Sequence, residues 1–349
     1  MYTLKTPDVL PNMVLYEDTY TKDNKFLLPS NTILTKEHIH MLEKHGFREL
    51  ALADLTEVKR TRYEHLLALP HFQKFQTCYL LCLKRFTHVL NNLGSGIVFQ
   101  PQILLSLRDE IISHVKSEQQ LLDYMYYLTP TESQMTYTHC FNAGLLVYCF
   151  AKWCHVPKSS LDSLTIAGFL FDCGLIKVDR DILNKADTLS ASERDRIGQH
   201  IYWGYELTKS ENNPRLSKLI LTHHERTNGF GYPFHLYAGQ IDPWITYIAM
   251  ADLYESMTHI RSFRLSYTPF QALTELESYR HLYPSPNEAV QIIYEIAASY
   301  LGRRVALSDG SIGKIVEIHT DVISRPVVYT IKGMIDLKKY PNLEIVRML

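Results

Sequence analysis

The chain reads HHERTNGFGYP from His223 to Pro233, and this stretch decides how the rest of the fold is interpreted. The two adjacent histidines offer imidazole nitrogens, which are common ligands of divalent transition metals. A glycine-rich turn follows them directly. Asn228-Gly229 favours positive φ, and Gly231 lets the backbone approach a ligand closely. The combination predicts a metal site bordered by the wall of a ligand pocket.

Further His and Asp residues lie before and after this stretch, in segments with helical periodicity. A dinuclear hydrolase needs several such side chains from different helices, because each divalent ion takes about four to six ligands and keeps one place open for water. A lone histidine in an apolar helix is usually a core residue, so the prediction depends on the whole set. The candidate metal ligands are His139, Asp172, His200, His223, His224 and Asp252.

The order and the sequence contexts of these residues resemble the HD-GYP family. The resemblance rests on MTYTHCFNAGLL around His139, RIGQHIYWGYELT around His200, the GFGYP run and IAMADLYESMT around Asp252. Members of this family are metal-dependent phosphodiesterases that open the bacterial second messenger cyclic di-GMP. The resemblance implies a helical bundle of the HD superfamily, in which Asp172 is the catalytic aspartate that bridges two metals.

Two positions depart from the family pattern. Where the family has an adjacent His-Asp pair followed by Gly-Lys, this chain has Phe171, Asp172, Cys173, Gly174 and Leu175. A phenyl ring cannot coordinate a cation, and even an outer-shell partner of a metal is worth roughly 10- to 100-fold in affinity or activity. The family lysine would stabilise charge on phosphate, which commonly contributes on the order of 10² to 10³ in rate. We expect a degenerate site that holds one divalent ion (Fe, Mn, Ni or Zn) or none.

The residues that the resemblance assigns to nucleotide binding are retained. Arginine suits contacts with phosphates or guanines through its planar fork, and two arginines three residues apart lie on one side of a helix. The predicted ligand-binding residues are Gly229, Gly231, Tyr232 and Pro233 of the glycine-rich turn, and the downstream pair Arg261 and Arg264.

Retained binding groups combined with lost catalytic groups favour a receptor, because the lost groups act mainly at the transition state. The preferred hypothesis is a degenerate HD-GYP protein that binds cyclic di-GMP as a signalling receptor or scaffold, works with a protein partner and has weak or absent hydrolysis. One alternative is an active metal-dependent phosphodiesterase with a rearranged site, giving pGpG or GMP. Another is an interaction protein with neither metal nor nucleotide.

The composition limits which cellular locations and which classes of partner we expect for this protein. The 349 residues include 36 Lys and Arg against 37 Asp and Glu, so no global field attracts nucleic acid. The N-terminus lacks a signal-like segment, and we expect no membrane span and a cytoplasmic location. The six cysteines lack paired metal-site spacing and are predicted to be buried, reduced thiols.

The predicted fold is mainly α, with small β-containing parts towards both ends of the chain. Residues 1–60 form a small N-terminal α/β module with a helix from Thr35 to Lys44, and residues 61–130 form a helical connecting region. Residues 131–302 form the HD-GYP-like helical domain. Residues 303–349 form a C-terminal β extension, in which β-branched runs flank an Asp309-Gly310 turn.

Overall fold

The computed structural model describes residues 2–11, 13–17, 19–23, 26–28, 32, 34–53, 66–97, 100–128, 135–183, 185, 188–209, 213–259, 266–331 and 333–349. The chain divides into two compact units, Met1–Pro70 with Tyr300–Leu349, and His71–Ser299. Its mainly helical architecture with small sheets confirms the predicted fold class. The domain boundaries predicted from the sequence stay predictions.

The N-terminal part of the first unit contains β1 (Tyr2–Lys5), β2 (Val14–Leu15), β3 (Thr19–Tyr20), β4 (Phe26–Leu28), α1 (Lys36–Lys44) and β5 (Glu49–Ala53). Strands β1, β5 and β2 form an antiparallel sheet in that order, and β3 pairs with β4. Thr35 caps α1, because its hydroxyl accepts the His38 N–H at 3.2 Å. Leu34, Leu42 and Leu50 lie in the core of this part.

The C-terminal part of the first unit contains β6 (Arg304–Leu307), β7 (Ile312–Glu317), β8 (Val327–Thr330), β9 (Gly333–Asp336) and β10 (Ile345–Met348). They form one antiparallel sheet in the order β10-β6-β7-β8-β9. The predicted Asp309-Gly310 turn joins β6 to β7. Gly310 has φ +82°, and the Asp309 carboxylate accepts the Ser311 N–H at 2.9 Å, as in an Asx turn.

The second unit is helical, and its most central helix positions the site. The helices are α2 (Pro70–Gly94), α3 (Gln102–Ile112), α4 (Glu118–Tyr126), α5 (Met135–Trp153), α6 (Lys158–Leu170), α7 (Arg180–Leu183), α8 (Ala191–Gly198), α9 (His200–Thr208), α10 (Pro214–Thr222), α11 (Ile245–Thr258), α12 (Pro269–Tyr279) and α13 (Pro286–Ala298). Helix α5 is apolar on nearly all sides and is buried along most of its length, as expected for a helix surrounded by others.

A close backbone contact places Asp172, two residues after the end of α6, next to α9. The short 3₁₀ turn Cys173–Lys177 follows Asp172, and Gly174 is the point where this turn meets α9. A Cβ atom at Gly174 would lie 1.9 Å from the His200 carbonyl oxygen, so only glycine fits. The contact brings Asp172 and His200 together.

One part of the described chain has the length and composition of a membrane span. It is Lys158–Lys177, and 56% of its most apolar window is buried inside the protein. The core helix of a bundle passes the same test, so this segment is weak support for a span, yet it departs from the expectation that no run would be long enough. The six cysteines are free, and all but Cys154 are buried, so the prediction of buried thiols is confirmed for all of them except Cys154.

Candidate metal site

Four of the candidate ligands converge on one point. Asp172, His200, His223 and His224 each offer one ligand atom, and these atoms lie within 4.8 Å of one another. We call them the four-residue cluster. Asp172 follows α6, His200 begins α9, and the two adjacent histidines follow α10. Elements distant in sequence therefore supply the donors, as a metal site requires.

Two imidazoles of the cluster are oriented by carbonyl groups three residues earlier in the chain, that of Ile197 in α8 and that of Ile220 in α10. The Nδ1 atom of His200 lies 2.7 Å from the Ile197 carbonyl oxygen, and Nδ1 of His223 lies 2.7 Å from the Ile220 carbonyl oxygen. A carbonyl only accepts hydrogen bonds, so each Nδ1 must carry a proton. With Nε2 unprotonated, each ring would direct the Nε2 lone pair into the cluster, the arrangement found in metal-binding histidines.

The spacing of the donor atoms fits a bound cation. The Nε2 atom of His200 lies 3.3 Å from Nε2 of His223 and 3.3 Å from Nε2 of His224. Oδ1 of Asp172 lies 3.1 and 3.2 Å from Nε2 of His200 and His223, yet it is buried without a hydrogen-bond donor. Ligands of an ion with bonds of about 2.0–2.1 Å are themselves about 3–3.4 Å apart. The cluster therefore has both the donors and the spacing for a metal ion.

The charges in the cluster are tightly linked. Burial alone would raise the pKa of Asp172, but His200, His139 and His223 hold it well below its usual range. Burial would lower the pKa of His200, whereas Asp172 raises it above its ordinary value. Burial and the neighbouring His223 lower the pKa of His224, which keeps that imidazole neutral and able to bind a metal.

A second group shares Asp172 and is formed with His139 and Asp252. We call it the His139 group. The Nε2 atom of His139 lies 3.1 Å from Oδ2 of Asp172 and 3.5 Å from Oδ1 of Asp252. Burial and the nearby Asp172 raise the pKa of Asp252. This group offers one nitrogen and two carboxylates, fewer nitrogen donors than the four-residue cluster.

Phe171 lies against this group, where the sequence resemblance expects a histidine. Its ring is fully buried, with its centroid 5.7 Å from that of His139 and 5.0 Å from that of His223, edge-on to both. Such edge-to-face contacts stabilise packed rings but provide no ligand atom. Leu175, at the position expected for lysine, is half-buried in the 3₁₀ turn and is also apolar.

A buried polar network behind His139 was missed by sequence analysis. Oε2 of Glu255 accepts the Nδ1–H of His139 at 2.5 Å, and Oε1 of Glu255 accepts the Asn142 side-chain N–H at 3.1 Å. The Tyr79 hydroxyl donates to the other atom of that amide, Oδ1 of Asn142, at 2.6 Å. Burial would lower the pKa of His139, but Glu255 and Asp172 raise it to about 10. The three-residue spacing from Asp252 to Glu255 places both on one helix face and could have revealed the pair.

The glycine-rich turn packs directly on the histidine motif. A Cβ at Gly231 would lie 2.3 Å from the Arg226 nitrogen, and Gly229 has φ +75°, so both predicted glycines are required by the backbone. Tyr232, which precedes Pro233 through a cis peptide bond, stacks on His224 with ring centroids 4.6 Å apart. The turn therefore borders the four-residue cluster.

The fully buried Glu225 holds the backbone that follows the glycine-rich turn. Its carboxylate accepts the Phe234 N–H at 2.6 Å and the Leu236 N–H at 2.9 Å. Charge-assisted bonds of this kind are stronger than neutral ones. The remaining predicted ligand-binding residues, Arg261 and Arg264, lie outside the described residues.

Comparisons with known proteins show which family and which relatives this chain resembles. Residues 116–285 match a family described as HD domain. A cyclic di-GMP phosphodiesterase of Pseudomonas aeruginosa, PA4108, is 26% identical over 201 residues, which is 57% of this chain and 48% of the relative. A cyclic di-GMP phosphodiesterase of Thermotoga maritima is 24% identical over 225 residues, 64% of this chain and 58% of the relative. The chain thus spans about half the length of these relatives.

Two further comparisons concern a relative with a different substrate and a solved structure with a similar fold. The 3'3'-cGAMP-specific phosphodiesterase 2 of Vibrio cholerae is 26% identical over 182 residues, 51% of this chain and 34% of the relative. The solved structure of Bd1817, an HDG"Y"P protein from Bdellovibrio bacteriovorus, has a TM-score of 0.52 and 14% identity, covering 85% of this chain and 99% of that one. At this identity the structural similarity establishes the fold alone.

Proposed function

Since this chain is a member of the HD-GYP family, we propose that it binds cyclic di-GMP as a signalling receptor or scaffold, with weak or absent phosphodiesterase activity. The relatives from Pseudomonas aeruginosa and Thermotoga maritima are cyclic di-GMP phosphodiesterases, which supports this ligand. The observation that carries the proposal is Phe171. Its buried ring lies between the two histidines that belong to the two halves of the site.

The four-residue cluster would hold a single divalent transition ion, Fe, Mn, Ni or Zn. Such an ion polarises a phosphate and lowers the pKa of bound water. Asp172 would contribute its otherwise unpaired Oδ1, and His200 and His223 their oriented Nε2 atoms. This donor set supports metal and phosphate binding.

The chain's own residues around the cluster favour binding over turnover. Phe171 excludes a ligand nitrogen from the His139 group, and Leu175 gives no positive charge near the phosphate. Tyr232 stacks on His224 and would close one side of the pocket. Binding groups remain while groups that act at the transition state are absent, so affinity can persist without rate.

Arg261 and Arg264 are proposed to contact the phosphates or guanines of the dinucleotide. This assignment comes from the sequence, because two arginines at this spacing can present parallel forks to an anion. As a receptor, the protein would act in the cytoplasm and pass the signal to a protein partner.

A second candidate function is a phosphodiesterase that uses one ion. The observation in its favour is the completeness of the four-residue cluster, whose unpaired carboxylate oxygen and convergent imidazoles are arranged for a metal. In this case the product would be linear pGpG or GMP.

One preparation distinguishes the two functions. Metal content, cyclic di-GMP affinity and pGpG release are measured on the same purified protein, alongside a variant with Arg261→Gln and Arg264→Gln. For a receptor we expect about one ion or less per chain, tight binding without turnover, and more than tenfold weaker binding in the double variant. Release of pGpG at an enzyme-like rate would favour the second function, and unchanged affinity in the double variant would remove the arginines from the site.

A further inference from the structure

Phe230 is the most exposed aromatic side chain among the described residues, with 88% of its surface accessible. An exposed phenyl ring is unfavourable in water, although single exposed apolar side chains are common on protein surfaces. Here the backbone is held. The Phe230 N–H donates to Oδ1 of Asn228 at 3.1 Å, and the Gly229 N–H donates to the Arg226 carbonyl at 3.0 Å.

The same turn carries three more exposed aromatic rings. Together with Phe230 they form what we call the aromatic rim: Phe230, Tyr232 at 38%, Phe234 at 52% and Tyr237 at 62% exposed. The Tyr237 ring lies over Gly229, where an added Cβ would come within 2.6 Å of it. Asn228 and Tyr237 also form a β-bridge. The rim is therefore a fixed apolar surface.

The rim is joined to the metal cluster through its own backbone. Gly231 lies on the His224–Arg226 backbone, since its Cβ would be 2.6 Å from the His224 carbonyl oxygen. Tyr232 stacks on the His224 ring. Successive Cα atoms are about 3.8 Å apart, so the Cα atom of Phe230 is about that far from the Cα atom of Gly231, which contacts the His224–Arg226 backbone. An anion held at the cluster would have the aromatic rim beside it.

We propose that Phe230, supported by Tyr237, stacks on a purine base of a cyclic dinucleotide whose phosphate lies at the four-residue cluster. This inference rests on the proposed function and specifies which residue contacts the base. Aromatic side chains bind bases through their faces with little dependence on base identity. The Phe230 ring, 88% exposed, leaves its face open to a base.

Phe230→Ala is the direct test, because this side chain packs on nothing that the fold needs. On metal-loaded full-length protein we expect cyclic di-GMP affinity to fall about 5- to 100-fold, the range for losing one stacking partner. Metal content should stay the same, and Phe230→Tyr should bind within about twofold of wild type. Tyr329→Ala is the matched control, since Tyr329 is 58% exposed on β8 in the other unit.

The outcomes separate this inference from the proposed function. Wild-type protein that binds cyclic di-GMP while Phe230→Ala binds it equally well would overturn the stacking role and leave the receptor role standing. Wild-type protein that does not bind cyclic di-GMP would overturn both. Equal losses in Phe230→Ala and Tyr329→Ala would also overturn the inference, because they would indicate a general effect of removing surface rings.

Discussion

The two oxygens of Asp172 face different surroundings. Oδ1 faces the imidazoles of His200 and His223, whose protons are held elsewhere by carbonyl oxygens. Oδ2 faces His139, whose ring is held from behind by Glu255 and flanked by Phe171. Oδ1 has no hydrogen-bond partner, whereas Oδ2 is already hydrogen-bonded within the protein.

The difference shows how Phe171, in place of a metal-binding histidine, can separate the two groups of residues that share Asp172. A buried polar atom needs a partner, and the His139 group supplies its own through ionic hydrogen bonds. The four-residue cluster has no donor for Oδ1 of Asp172. A bound cation would therefore give Oδ1 a partner, whereas Oδ2 already has one in His139.

The largest expected effect comes from removing a metal-ligand nitrogen on the Oδ1 side of Asp172. His200→Ala should weaken metal binding by at least about 100-fold, because it deletes a direct ligand where even an outer-shell partner is worth roughly 10- to 100-fold. His139→Ala should weaken metal binding less, by about 10-fold, because His139 would act only through its hydrogen bond to Asp172. Titration of both variants with Co²⁺, followed by its visible absorption, measures the contrast. Equal losses in the two variants would mean that both halves hold metal.

The next effect should come from restoring the lost groups. Phe171→His combined with Leu175→Lys should raise metal content from about one ion to two. Hydrolysis of cyclic di-GMP should rise by roughly 10²-fold, as expected for a regained phosphate stabiliser. Metal analysis and pGpG release report the two changes separately. Phe171→Leu is the control, since it removes the ring without adding a ligand; no gain in either measurement for the double variant would mean that the two halves differ by more than these side chains.

The last prediction concerns the stability of chelated protein as a function of pH. The folded pKa of His139, about 10, exceeds the unfolded value of about 6.5. Its stabilisation is thus fully present below pH 6.5 and is lost as pH rises through 10, which corresponds to a few kcal/mol at most. Urea unfolding of wild type should show this decline. His139→Gln should show a shallower one, and parallel curves for the two proteins would contradict the ionic role of His139.

Sequence patterns predicted the helical bundle and the β-containing parts, because the periodicity lies in the chain itself. The six His and Asp residues named as ligands also lie close together in the structure, whereas their role, and that of the other predicted site residues, stays a prediction. The sequence patterns did not predict Glu255. An acidic residue one turn beyond Asp252 is typical of an exposed helix face, and only the packing of α11 against α5 buries it beside His139. The carbonyl partners Ile197 and Ile220 were also missed, since any residue type can supply a carbonyl.

Those two carbonyl contacts also determine how quickly metal could exchange. Each joins a histidine to a residue three positions earlier in the chain, so the orientation of the ring is set by the local backbone. Loading would then require no rearrangement between helices, and its rate would depend on entry of the ion and on departure of the proton favoured at His200. Metal uptake should therefore be a single fast phase that accelerates as pH rises.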